Sequence, residues 1–501
     1  MSRLTLVKNA IANLARGSIG ALIALAMPPF LTRALSKDTY GTWLLILQLA
    51  TYVSFLDFGI QTAVGRFVAH SNEIGDKKQR DSIVSTSLAI LIVLGLVSIL
   101  GTILLVLLLP NLFPQMPVYL QHDAQLALVC VGGSLSIGLP FSVFNGIFIG
   151  LQRYDIPALI VGASKLLGAV FVILVAHSTH SIILMAIVMA ISNLLGYLWQ
   201  WFAYHQIAGE IRFSKDLISK IEGKNIIDYC SNLMIWSFGM LLVSGFDTAI
   251  VGYNDYKSVV YYAVAASLIT FIIGLQGSLF SVLMPNAAVL GARGESDQLG
   301  ELLLRTTRYG SLILLSTGLP TAIFAKEILT VWVGNDYGNS GASILQILVV
   351  ANIIRLTSVP YVTIVLGVGQ QNLITMSPII ESFSNLSISL ILGSYLGGVG
   401  VAIGTLFGSI ISVSGHILYN MPRTNKITFV RNKYLTQCII KPSICFIPLM
   451  LYGYLRISWG QEFYDILTGV SSVLMTITLV TLLAISSSEK KKIWLIIGKI
   501  I

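Results

Sequence analysis

The 501 residues carry a formal net charge of +9; 55% are hydrophobic, only 11% are charged, and the mean hydropathy is +0.83. Soluble globular domains hold about 25% charged residues, so this composition excludes one and points to a chain that crosses a membrane many times. Most of the basic residues lie in short loops beside apolar runs, where they orient a chain in the bilayer, and nothing here suggests a nucleic-acid partner.

About twenty apolar residues are needed to cross roughly 30 Å of hydrocarbon as a helix. Apolar runs fall at about 10–35, 40–68, 83–109, 124–149, 156–175 and 182–203 in the first part of the chain. After a polar gap they fall at about 226–251, 259–283, 306–324, 344–366, 373–392, 399–418, 438–455 and 464–485. The short alternating segments of a membrane β-barrel are absent. The prediction is an all-α polytopic membrane protein of about fourteen transmembrane helices.

Arg3 and Lys8 before the first run resemble a signal-peptide flank, but the run continues to about Ala34 and holds Arg16, so it is read as a retained span. With fourteen spans both termini share one side. That side collects most of the Lys and Arg, including Arg66, Lys77, Lys78, Arg80, Lys215, Lys220, Arg423, Lys426 and Arg431, whereas the other carries chiefly Arg33, Lys37, Lys257, Lys326 and Arg456. Both termini are therefore expected in the cytoplasm.

The gap at 209–225 places Ile211, Phe213, Leu217, Ile218 and Ile221 opposite Lys215, Lys220 and Lys224. This is the pattern of an amphipathic helix lying in the membrane interface; a solvated linker is the other reading.

An internal repeat suggests two halves. Asn13-Leu14-Ala15-Arg16-Gly17-Ser18-Ile19-Gly20 matches Asn232-Leu233-Met234-Ile235-Trp236-Ser237-Phe238-Gly239 at four of eight positions, 219 residues apart. At the same offset Gly150-Leu151-Gln152 maps onto Gly369-Gln370-Gln371. Two pseudo-symmetric six-helix lobes are expected at 1–208 and 226–422, joined by an interfacial linker at 209–225. Residues 423–501 add a C-terminal helix pair and a basic tail.

Four basic residues fall inside apolar runs: Arg16, Lys165, Arg355 and Lys441. A cation at membrane depth is costly and faces a polar cavity or a partner, so these residues point to anionic cargo. Arg16 either lines such a cavity, where a guanidinium binds phosphate bidentately, or pairs with a carboxylate such as Asp57 or Asp247. Lys165 and Arg355 lie well inside their runs, whereas Lys441 sits near a span end and can snorkel. Arg66 is either an entrance residue or a positive anchor. The substrate-binding candidates are thus Arg16, Lys165, Arg355 and Arg66. The intramembrane acids Asp57, Asp247 and Glu381 are candidates for coupling to H+ or Na+, or for balancing nearby cations.

Pro28 and Pro29 predict a kink in the first span. The four cysteines have no metal-ligand spacing, and there is no Walker loop, nucleophile elbow or zinc-protease motif. No catalytic residue, metal or cofactor is expected, and the chain is not read as an enzyme.

Pro29-Phe30-Leu31-Thr32-Arg33, Tyr40-Gly41-Thr42-Trp43, Leu56-Asp57-Phe58-Gly59-Ile60 and Val64-Gly65-Arg66-Phe67 resemble the start of the polysaccharide (O-antigen, Wzx-type) flippases of the multidrug/oligosaccharidyl-lipid/polysaccharide exporter superfamily. The resemblance spans roughly residues 10–80 and continues as topology. It implies a bacterial inner-membrane flippase that turns a polyprenyl-pyrophosphate-linked oligosaccharide, an O-antigen or capsule repeat unit, towards the periplasm by ion-driven alternating access. It also implies lipid contacts and, as further partners, a glycan polymerase and a chain-length regulator. Two alternatives stay open: a drug or metabolite antiporter of the same superfamily, which would call for an acidic cavity, and a membrane enzyme or scaffold of glycan assembly.

Overall fold

The computed structural model describes residues 3–280, 283–459 and 464–484, with side chains from Ile19 onward apart from parts of 232–244, 275–279 and 457–467. All regular structure among these residues is helical. The first stretch holds α1 (Arg3–Ala34), α2 (Lys37–Ser54), α3 (Ile60–Glu73), α4 (Lys77–Leu112), α5 (Val118–Gly150), α6 (Asp155–Thr179) and α7 (Ile182–Ile207). It continues with α8 (Lys220–Ser244), α9 (Asp247–Asn254), α10 (Val259–Phe280), α11 (Leu283–Ala292) and α12 (Ser296–Ile323). Then come α13 (Ala325–Val333), α14 (Asn335–Leu356), α15 (Val359–Gly367) and α16 (Met376–Gly415), followed by shorter helices up to 484.

Eight helices among the described residues are long and apolar enough to cross a membrane, or ten if each of two bent pairs is one span. Fourteen is a finer count than length and composition establish. One of the eight, Gln371–Arg423, doubles back. Gly397 leaves helical geometry (φ 55, ψ −135), and the Ser389 hydroxyl reaches the Val401 carbonyl at 3.3 Å. Twelve residues of straight helix would span about 18 Å, so the chain reverses at Gly397.

The chain forms two compact units. One comprises Met1–Ser278, Leu329–Ile344 and Glu381–Thr405; the other comprises Leu279–Ile328, Leu345–Ile380 and Leu406–Ile501.

In the first unit α4 shows how helical spacing sorts residues. Leu91, Gly95, Ser98, Thr102 and Leu109 are buried, whereas Leu96, Leu100, Leu104 and Leu107 are exposed. Both sets recur at three- or four-residue steps, so each occupies one face. The exposed stripe suits lipid contact, and the buried one packs on α5, where Ser98 and Ser136 share a 2.7 Å hydrogen bond. Gly146 and Gly150 of α5 let α3 approach closely. A Cβ on Gly146 would lie 2.7 Å from the Val64 Cβ, and one on Gly150 would lie 2.8 Å from the Val68 Cβ. Without a strong hydrophobic drive between helices in lipid, such close backbone contact supplies the attraction.

The 209–225 segment does not form the continuous helix expected of it. It runs as irregular chain with one short turn at Lys215–Leu217, and α8 starts only at Lys220. The cause is a set of side-chain bonds that compete with helix formation. Ser82 donates to the Leu217 carbonyl (2.8 Å), Ser85 accepts from Ser214 N (3.2 Å) and Thr86 accepts from Ser219 N (3.0 Å). Ser219 then caps α8 through Glu222 N, while Ile211 is buried with Val84, Phe148 and Tyr204.

Two turns repeat. Gly75 and Gly294 are both left-handed (φ 77 and 71) and lie 219 residues apart. Gly75 N donates to Asn72 O and Asp76 N to Ser71 O; Gly294 N donates to Gly291 O and Glu295 N to Leu290 O. This bond pair is the Schellman helix stop. The match drawn through Gly150 and Gly369 is shifted by two residues, because the left-handed residues with the same bond pair are Gln152 and Gly369. Backbone conformation, not the shared glycine letter, sets the equivalence.

Candidate functional site

The second span is broken at Phe55–Gly59. A short turn covers Phe55–Asp57, and Phe58 and Gly59 are both left-handed (φ 49 and 80). Glycine adopts this conformation freely, whereas phenylalanine does so rarely. Asp57 sits at the break, accepting from the Ser142 hydroxyl (2.8 Å) and more distantly from Gln61 N (3.4 Å). A carboxylate here faces the positive end of the α3 dipole, so part of the reason for Asp57 is to start that helix.

Beyond the break, α3 is amphipathic. Ala63, Val64 and Val68 are buried, whereas Thr62, Arg66, His70 and Glu73 form an exposed polar stripe at helical spacing. Within a membrane span such a stripe requires water or polar groups opposite it. The Arg66 guanidinium lies 4.7 Å from the ring centre of Tyr229 on α8 and 5.8 Å from that of Phe67.

Lys165 lies midway along α6. Leu159, Leu166, Leu167, Val170 and Leu174 mark the lipid-facing side, and the buried Ala158, Gly168, Val172 and Ala176 mark the opposite side. At 100° per residue Lys165 falls with the second set, yet it is exposed. Lys165 is thus accessible on the face of α6 that carries the buried small residues. Arg355, in the other unit, is half-buried and shares the face of α14 that carries Leu348 and Ala351, away from the exposed Val350. Its carbonyl accepts from the Ser358 hydroxyl at 2.8 Å. Arg16 belongs to α1, but its side chain lies outside the described residues.

Asp247 stands at a second helix break. The turn between α8 and α9 leaves the Gly245 carbonyl to accept Gln48 Nε2 (2.7 Å) and the Tyr52 hydroxyl (2.6 Å), both from α2. Backbone released from a helix at membrane depth must be satisfied in this way. Asp247 is 7% exposed. Its Oδ2 accepts from Tyr262 (2.9 Å) and Thr405 (3.1 Å), and its Oδ1 accepts from Asn385 Nδ2 (3.4 Å). Ser389 bonds the Asn385 amide oxygen (2.9 Å) as well as the Val401 carbonyl. The Gly397 reversal is what brings Asn385, Ser389, Val401 and Thr405 to one place. Glu381, equally buried, lies one turn from Asn385 on the same face of α16.

The structure therefore joins Asp247 to an oxygen-rich cluster that also involves the face bearing Glu381, while Asp57 has a different set of partners. Tyr262, Asn385, Ser389 and Thr405 escaped the sequence reading. The available signal was polar residues at i, i+4 spacing in apolar runs (385 with 389). The second unit has an apolar groove of about 510 Å³ where Phe324 faces Leu449, Tyr452, Val470 and Val473 of the C-terminal helices. Arg456 also lines it, 2.7 Å from Glu327 and with its guanidinium 4.5 Å from the Phe324 ring centre.

A family model described as "Polysaccharide biosynthesis protein" matches residues 6–288. Comparison with curated proteins found no match. Among solved structures, the chain is similar to a lipid II flippase MurJ in an inward closed conformation (TM-score 0.72, 14% identity, covering 95% of this chain and 98% of that one). It is also similar to an inward-facing multidrug resistance MATE family transporter of the MOP superfamily (TM-score 0.62, 17% identity, 83% and 94% covered). A third is a MOP superfamily transporter from Pyrococcus furiosus Vc1 (TM-score 0.58, 16% identity, 84% and 95% covered). At these identities the likeness establishes a shared fold, that of multi-pass membrane transporters.

Proposed function

The chain belongs to the polysaccharide biosynthesis protein family, and from that premise we propose that it is a flippase for a polyprenyl-pyrophosphate-linked oligosaccharide, an O-antigen or capsule repeat unit. It carries this cargo from the cytoplasmic to the outer leaflet of a bacterial inner membrane, with both termini in the cytoplasm. The observation that carries this reading is Lys165, an exposed cation on the inward face of a membrane helix. A cation there suits an anionic head group, for which hydrocarbon is otherwise prohibitive. The polar stripe of α3 with Arg66 supports the same reading as a path for the sugars. A cationic drug would find the wrong charge at Lys165 and Arg66.

Ion coupling belongs to the Asp247 cluster in this reading. Asp247, Tyr262, Thr405, Asn385 and Ser389 bring oxygen atoms together there, the chemistry that suits a hard cation or a proton. Asp57 and Glu381 are kept as secondary coupling candidates, and Arg16 and Arg355 as further cargo contacts.

Binding tests the cargo assignment. Purified protein should bind a polyprenyl pyrophosphate more tightly than the corresponding polyprenol. Lys165→Ala should lose about tenfold of that preference, the scale of a hydrogen bond to a charged group, and Lys165→Arg should keep most of it. Equal binding of the two lipids by the wild type would reject the assignment.

A further inference from the structure

We propose that the cleft beside the 209–217 connection binds an anionic phospholipid of the leaflet on the Lys- and Arg-rich side of the membrane. This is a site separate from the cargo path. The cleft has a volume of about 760 Å³. Leu88 of α4, Phe144 of α5, Trp201 of α7 and Phe213 of the connection supply apolar lining; His205, Arg212, Ser214 and Asp216 supply polar lining.

The apolar lining continues an established lipid-facing surface. Leu194, Leu198, Trp201 and Phe202 are exposed along one side of α7, and their three- and four-residue spacing makes them one stripe. Trp201 is thus shared between the outer surface and the cleft, and an acyl chain lying along α7 meets the opening directly. Indole and phenol rings favour this depth, where one end of the ring is apolar and the other wet.

The polar lining selects charge. Arg212 is exposed, and Lys215 flanks it on the same connection. His205 packs edge-on against Trp201 with ring centres 4.6 Å apart, which fixes its ring in the lining. Asp216 also lines the cleft, but its carboxylate accepts from the Ser214 hydroxyl (3.4 Å), whose oxygen in turn accepts Asp216 N (3.3 Å). One carboxylate oxygen is thus engaged within its own turn, and Arg212 with Lys215 outnumbers the acid. A guanidinium with a neighbouring ammonium suits a phosphodiester.

The site is also preformed. The connection is fixed to α4 through Ser82, Ser85 and Thr86, and to α7 through the bond from the Tyr204 hydroxyl to the Ile211 carbonyl. Phe144, Tyr204 and Phe213 pack ring against ring behind it, with centres 4.9–5.9 Å apart. A ligand entering such a cleft orders little of the protein, so its contacts translate into affinity.

Native mass spectrometry of the full chain with phosphatidylglycerol or phosphatidylcholine tests this without reference to transport. The wild type should retain phosphatidylglycerol preferentially. Arg212→Gln should lower that affinity about fivefold, the effect of one cation near an anionic lipid, and leave phosphatidylcholine binding unchanged. Arg212→Lys should restore most of the preference, and Arg431→Gln, elsewhere on the basic side, should have no effect. The proposal is overturned by equal retention of both lipids in the wild type, by an Arg212→Gln protein that binds like the wild type, or by an equal loss in Arg431→Gln.

Discussion

At Asp247 three neutral donors from α10 and α16 converge on one carboxylate. Replacing it with Asn keeps the shape but puts an NH2 group where one of the carboxylate oxygens accepts. Leaving a buried donor without an acceptor costs about 1–3 kcal/mol, so Asp247→Asn should unfold at a lower temperature than the wild type. It should also transport without dependence on Na+ or pH. An Asp247→Asn protein with an unchanged ion dependence would take the coupling role away from this residue. Gly59 poses a different question, that of backbone strain. Its φ of 80 disfavours any side chain, and Gly59→Ala should cost about 1 kcal/mol or more, read as a lower midpoint in thermal unfolding. Charges inside apolar runs are conspicuous in a sequence, which is why Lys165 and Asp247 stand among its candidates. Tyr262, Asn385 and Thr405 were not found, because they are neutral, common in membrane helices, and lie 15, 138 and 158 residues from Asp247.

Among elements, breaks and close approaches carry more meaning than the helices themselves. Hydropathy gave the apolar runs, since length and composition decide them. It was silent on the interruptions at 55–59 and 245–246, because each break costs only a few backbone bonds and leaves the apolar pattern intact. Side-chain bonds to backbone likewise turn the 209–219 part of the amphipathic pattern into irregular chain with one short turn, a competition that periodicity does not register. The α3–α5 contact makes a direct prediction. Gly146→Val places a Cβ within 2.8 Å of Gln61 O and of the Val64 side chain, and overpacking of this kind costs roughly 1–3 kcal/mol. Gly133→Ala, on the same helix with nothing within 4 Å, should be neutral or slightly stabilising. Equal thermal stability of the two variants would mean that the close approach does not hold these helices together.

At the scale of the whole molecule, family, fold and membrane character agree: a polysaccharide biosynthesis protein with the fold of multi-pass transporters. Most of the Lys and Arg lie on one side of the proposed topology, the cytoplasmic side in this reading, and an inside-negative potential favours outward movement of an anionic head group by about 2.3 kcal/mol per charge per 100 mV. Lys37 and Asp336, 2.6 Å apart, join the start of α2 to the start of α14 on the opposite side. Both are exposed, so this pair should contribute at most about 1 kcal/mol to stability. The central claim is that anionic lipid-linked sugars cross through a cation-lined interior. It is tested most directly in proteoliposomes, by following access to the head group of a polyprenyl-pyrophosphate oligosaccharide from outside, with and without an imposed potential, for wild type and Lys165→Ala. The account predicts protein-dependent flipping that an outside-positive potential accelerates and that falls at least tenfold in a folded Lys165→Ala protein, the scale of a lost charged hydrogen bond. Folded wild-type protein that flips nothing under any gradient, or a Lys165→Ala protein as fast as wild type, would contradict it.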